Sequence, residues 1–171
     1  AELHSIEINC KLFDGKKNEP WHAKMVELHR FHCGDASNYE FLHDVWSTHM
    51  RRKNAPPLRV VVDDASHIST HQAASVFFWF PRIEPGGLMI VEDVQPNLLS
   101  NTFRSEFLPQ MMIDMHFCGF PENTAAVVND VACFPTLQPL LRSVSCEMHI
   151  CVFERNEMPA VEHDKMQSSP P

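Results

Sequence analysis

Two short apolar runs each stop on a pair of carboxylates, and this repeated pattern limits the folds open to the chain. The first, residues 58–62, leads through Val60-Val61-Val62 into Asp63-Asp64. The second, residues 88–91, leads through Met89-Ile90-Val91 into Glu92-Asp93. Continuous apolar runs of this length read as strands buried on both faces, as in a parallel sheet. Between them lies a helical stretch, residues 69–80, which Ser69 or Thr70 can cap and Pro81 ends, followed by the turn Glu84-Pro85-Gly86-Gly87. Strands alternating with helical stretches argue an α/β fold with a parallel sheet.

The flanking sequence extends this pattern. Residues 3–8 read as a first strand, and residues 27–33 as a weaker second one closed by Gly34-Asp35. Phe41, Leu42, Val45 and Trp46 recur at helical spacing within 38–49, and Asn54-Ala55-Pro56-Pro57 makes a turn. Residues 95–123, rich in Phe and Met, read loosely as helix plus loop, and Pro135 and Pro139 break the stretch 127–141. Residues 144–153 are β-prone, as one hairpin or two short strands. We expect a single domain over residues 1–157 and a disordered polar tail over 158–171.

Composition excludes several classes of function. With 14 Lys+Arg against 22 Asp+Glu, the formal net charge of −8 offers no phosphate-binding face, so no nucleic-acid partner is expected. No apolar run approaches the ~20 residues of a membrane helix, and residues 1–4 lack the basic and apolar regions of a signal peptide. The cysteines at 10, 33, 118, 133, 146 and 151 form no Cys-x-x-Cys pair and are expected as buried free thiols in a reducing, cytoplasmic setting. The eleven histidines lack zinc spacing and read mostly as surface or packing residues.

In an open parallel sheet, ligands bind beyond the carboxyl ends of the strands. Neighbouring strands lie ~4.8 Å apart, so acids ending two adjacent strands converge and repel unless a cation or shared protons relieve them. An all-oxygen set suits a hard ion, Mg²⁺ or else Mn²⁺ or Ca²⁺. The plainer account is that these acids cap loops and helix N-termini. His67 follows Asp64 by three residues and has the chemistry of a general base at neutral pH. His71 is a weaker candidate for the same task.

The segment from Val60 to Val94 resembles the core of class I S-adenosylmethionine-dependent methyltransferases, in particular the metal-dependent sugar O-methyltransferases of macrolide biosynthesis. It carries Asp63-Asp64-Ala65-Ser66-His67, His71-Gln72, Phe80-Pro81-Arg82-Ile83-Glu84-Pro85-Gly86-Gly87 and Glu92-Asp93, with Ala65 in place of a glycine. The resemblance implies metal ligation by Asp64, Glu92 and Asp93 and a catalytic base at His67. More weakly, it implies cofactor binding by Glu7 on the ribose hydroxyls, by Asp35 on the adenine amine, and by Asp63. It also implies a Rossmann-like sheet, mostly parallel with an antiparallel C-terminal strand pair. That fold's first strand and Gly-rich loop have no counterpart here, since the five glycines stand at 15, 34, 86, 87 and 119. With no initiator Met, the chain reads as truncated.

The implied activity is transfer of a methyl group from S-adenosylmethionine, with Mg²⁺, to a hydroxyl of a sugar or polyol-like small molecule. No membrane partner is expected, and a homo-oligomer stays open. The rival readings are a degenerate methyltransferase-like binding module and a different metal-dependent enzyme, such as a hydrolase or hydroxylase.

Overall fold

The computed structural model describes residues 1–11, 19–94, 101–117 and 137–160. They divide into two compact units, Ala1–Pro57 and Leu58–Pro171. The physical reason is the pairing: the first two strands hydrogen-bond only to each other, and the remaining four form a separate sheet.

In the first unit, β1 (Ser5–Glu7) runs parallel to β2 (Phe31–Cys33), with Glu7 opposite Cys33. Helix α1 (Pro20–Glu27) connects them, with Pro20 presetting its first turn. The sequence reading misses α1 because the helix buries His22 and no apolar stripe. Helix α2 (Tyr39–Asp44) starts at Asn38, whose side chain accepts the Phe41 N–H, and continues as a π-helical turn, Val45–Met50. A Cβ on Gly34 would lie 2.5 Å from the Phe41 ring, so the exit of β2 must be bare for α2 to pack there.

In the second unit, the strand order is β3 (Val60–Asp63), β4 (Leu88–Glu92), β6 (Ile150–Arg155), β5 (Leu141–Cys146). β3 and β4 are parallel, with Val60 opposite Leu88 and Asp63 opposite Val91. β6 returns antiparallel to β4, and β5 and β6 form a hairpin. The sheet is therefore mixed, not mostly parallel, because the terminal hairpin supplies two of its pairings. Helix α3 (Ser69–Trp79) crosses from β3 toward β4 and tightens into a 3₁₀ turn, Phe80–Arg82, at Pro81. A π-helical turn, Phe103–Phe107, leads into α4 (Leu108–Phe117). Phe103, Phe107 and Phe153 pack ring to ring over β6. Each buried phenylalanine contributes roughly 1.5–3 kcal/mol of transfer free energy.

Four further expectations are corrected. β3 is not buried on both faces: Val60 and Val62, two residues apart and so on one face, are 51% and 53% exposed. That face of β3 is left uncovered among the described residues. Neither Ser69 nor Thr70 caps α3; Ile68 is the N-cap, and its carbonyl receives the N–H groups of His71 and Gln72. Four cysteines are paired rather than free. Cys10 joins Cys33 beside the β1–β2 pair, and Cys146 joins Cys151, which lie opposite each other in the β5–β6 register. Cys118 and Cys133 lie outside the described residues. The tail does not begin at Met158, since the carbonyls of Met158 and Pro159 accept from Arg155.

Arg155 is fully buried, and four carbonyls account for its guanidinium: Ile83, Leu140, Met158 and Pro159. A buried cation is tolerated only when its donors are satisfied in this way. Gly86 turns with a φ of 70°, and a Cβ on Gly87 would meet the Arg59 carbonyl at 2.4 Å, so this pair lets the chain enter β4 against β3. No helix among the described residues is long and apolar enough to cross a membrane.

The first unit also holds a histidine stack. His32, 6% exposed, has its Nε2 3.0 Å from His4 Nδ1 and its ring 4.8 Å from that of His49. Burial, and then repulsion from His4 and His49, push its pKa down to about 4, against an opposing pull from Asp44. The folded pKa lies below the ordinary value of 6.5, so the unfolded chain protonates first as pH falls. Stability from this group is thus complete above about pH 6.5 and is lost as pH drops toward about 4. Proton NMR should place the His32 imidazole midpoint near 4. His32→Phe should flatten the acid limb of the first unit's unfolding curve.

Candidate metal centre

The carboxyl ends of β3 and β4 lie side by side because the two strands are parallel and in register at Asp63 and Val91. Asp64 and Glu92–Asp93 then leave the sheet along the same edge. The loop after Asp64 turns back at His67, which adopts a φ of 55°, and the chain leaving β4 turns at Asp93, with a φ of 51°. Both are left-handed conformations that residues with a Cβ seldom adopt, although Asp and His are among the more tolerant. They set the side chains of Asp64, His67 and Asp93 together, with one ligand atom of each within 4.8 Å of the others. His67 Nε2 lies 3.6 Å from Asp93 Oδ2, and both side chains are partly open to solvent.

The remaining acids divide differently. Glu92 ends β4 but stands outside this trio, whereas the imidazole of His67 is inside it. Asp63 turns inward: its carboxylate accepts the Ala65 N–H and faces buried Ser75, and burial holds its pKa above the usual range. His71 Nδ1 is 2.9 Å from Ser66 Oγ, which ties it to the loop. Glu7 and Asp35 lie in the first unit, at the carboxyl ends of β1 and β2. Glu7 accepts the Asn9 N–H, and Asp35 accepts from the backbone and hydroxyl of Ser37.

One residue of this region was given no role by the sequence reading. Gln72, 3% exposed on α3, donates its amide to the Glu92 carbonyl at 3.0 Å, with a longer contact of 3.4 Å to that of Asp93. The His71-Gln72 motif, in a helix that follows an acid-ended strand, is the available signal.

The structure is similar to that of solved methyltransferases. The MycE methyltransferase from the mycinamycin biosynthetic pathway, in complex with Mg, SAH and mycinamycin VI, superimposes with a TM-score of 0.55 and 20% identity, covering 74% of this chain and 32% of that one. The same enzyme with Mg and SAH, in a first crystal form, matches with a TM-score of 0.55 over 82% of this chain and 38% of its own. At this identity the likeness is one of fold.

The sequence adds specific relatives over a shorter segment. A tetracenomycin enzyme of Streptomyces olivaceus, 8-demethyl-8-alpha-L-rhamnosyl tetracenomycin-C 2'-O-methyltransferase, is 51% identical over 39 residues, 23% of this chain and 10% of its own. Mycinamicin VI 2''-O-methyltransferase of Micromonospora griseorubida is 36% identical over 61 residues, 36% of this chain and 14% of that protein. Demethylmacrocin O-methyltransferase of Streptomyces fradiae is 45% identical over 38 residues, 22% of this chain and 10% of that relative. No protein-family model matches. The chain is thus similar, over part of its length, to methyltransferases of the macrolide-sugar kind, and it spans a minor share of each.

The two left-handed residues carry a stability cost, about 1–2 kcal/mol for each residue bearing a Cβ. Glycine removes that cost but adds about 0.5–1 kcal/mol of unfolded-state freedom. His67→Gly should therefore raise the unfolding free energy by roughly 0.5 kcal/mol while deleting the imidazole. A urea titration reads the change, and a lowered midpoint would show that the ring's contacts outweigh the backbone strain.

Proposed function

We propose that this chain carries the metal- and proton-handling part of an S-adenosylmethionine-dependent O-methyltransferase acting on a hydroxyl of a sugar-like small molecule. The observation that carries this reading is the convergence of Asp64, His67 and Asp93 at the ends of two parallel strands. The relatives support the reaction class, since their names describe O-methylation, two of them at a 2' or 2'' position. Crystals of the structural neighbour containing Mg and SAH support Mg²⁺ and S-adenosylmethionine as the cofactors.

The two carboxylates of the cluster, Asp64 and Asp93, are oxygen donors that suit a small, hard divalent cation, with the His67 imidazole within 4.8 Å of both. Asp64 and Asp93 would hold it, with Glu92 beside Asp93 adding a donor. A bound Mg²⁺ supplies positive charge that lowers the pKa of an acceptor hydroxyl and orients it. S-adenosylmethionine supplies the electrophilic methyl group. His67 would take the hydroxyl proton at Nε2, and Asp93, 3.6 Å away, would stabilise the imidazolium that results. Glu7 and Asp35 are the acids we assign to the ribose hydroxyls and the adenine amine, with Asp63 beside the metal set.

The test is kinetic and uses the intact gene product. EDTA should abolish turnover and Mg²⁺ restore it, and Asp64→Asn should depress activity strongly. His67→Ala should lower the maximal rate about 10²–10⁴-fold, as loss of a general base does. Turnover that survives EDTA would sink the metal role. A larger loss on His71→Ala than on His67→Ala would move the base to His71.

A further inference from the structure

We infer that Gln72 is a positioning residue for the candidate metal centre, fixing the distance between the loop that carries His67 and the corner that carries Asp93; this inference rests on the metal reading above. Gln72 acts at both ends. Its backbone N–H donates to the carbonyl of Ile68, the residue after His67, at 2.9 Å. Its side-chain amide crosses to β4, donating to the Glu92 carbonyl at 3.0 Å and lying 3.4 Å from that of Asp93. One residue thus spans the two turns at which the backbone is left-handed. Such turns persist only when their surroundings hold them.

The neighbouring turn of α3 faces the other strand. Ser75, three residues on and also buried, faces the Asp63 carboxylate at the end of β3. Residues three apart share a helix face. This face of α3 therefore lies against the carboxyl ends of both strands, and Gln72 makes its direct hydrogen bond to β4. Gln72 offers no atom to an ion itself. It sets where the Asp93 carboxylate stands relative to the His67 imidazole. Partners of this kind, one layer behind the ligands, typically alter metal affinity 10–100-fold when removed.

Mn²⁺ is the probe, titrated into the 171-residue chain by calorimetry and followed by the electron paramagnetic resonance of the bound ion. Gln72→Met keeps the length and removes the side-chain amide that reaches β4, leaving the backbone N–H in place. It should weaken Mn²⁺ binding about 10–100-fold and alter the spectrum of the bound ion. Val76→Ala, on the same helix and fully buried, lowers stability without touching either turn, and should bind Mn²⁺ as the parent chain does. Equal affinity in Gln72→Met and the parent overturns the inference and leaves the metal reading standing. An equal loss in Val76→Ala also overturns it, since affinity would then follow stability alone. Absence of Mn²⁺ binding in the parent chain overturns the metal reading and this inference together.

Discussion

The parallel pairing of β3 with β4 is the constraint on which the rest of the second unit depends. Its register, Asp63 opposite Val91, brings two carboxylate pairs to one edge of the sheet. A slip of one residue would send every side chain of a strand to the opposite face. Two devices hold that register. The Gly86-Gly87 turn lets the chain pass within contact of the Arg59 carbonyl, where a side chain has no room. On the far side of β4, β6 pairs along its length from Leu88 to Glu92.

The same pairing creates the site's strain and its charge. Strands that end together must send their chains away at once, and here they do so through left-handed turns at His67 and Asp93. The conformational cost falls on residues whose side chains are also the chemical groups of the site. Asp63 takes the other course, turning inward to Ser75 and Ala65 where burial raises its pKa. Adjacent acids in sequence thus serve different ends, one holding the loop and one facing outward with His67 and Asp93.

Burial of charge is managed in another way at the opposite end of the sheet. Arg155 ends β6 with its guanidinium enclosed by four carbonyls from the turn before β4, the entry to β5 and the chain beyond β6. Those acceptors come from segments far apart in sequence. Desolvation disfavours the charge, lowering its pKa, and the hydrogen bonds offset that cost. The arrangement also explains why residues 158–159 are part of the fold.

Much of this was legible in the residues alone. Apolar runs ending in Asp63-Asp64 and Glu92-Asp93 identify the strands and the edge where chemistry can occur, because side-chain period and strand-end acids are local properties. The Pro85-Gly86-Gly87 turn and the 144–153 hairpin are local in the same sense. Other features are not local. Edge placement of β3 depends on which strands pair, and the exposure of Val60 and Val62 depends on which elements cover each face of the sheet. The pairing of Cys146 with Cys151 depends on hairpin register, and the entry of His67 rather than Glu92 into the carboxylate cluster depends on backbone turns. Gln72 stands in the His71-Gln72 motif, but its contact is with a carbonyl twenty positions away, which the motif does not show. Sequence determined which groups the chain can bring to chemistry; tertiary structure decided which of them meet, because long-range pairing and backbone conformation set distances that no local pattern records.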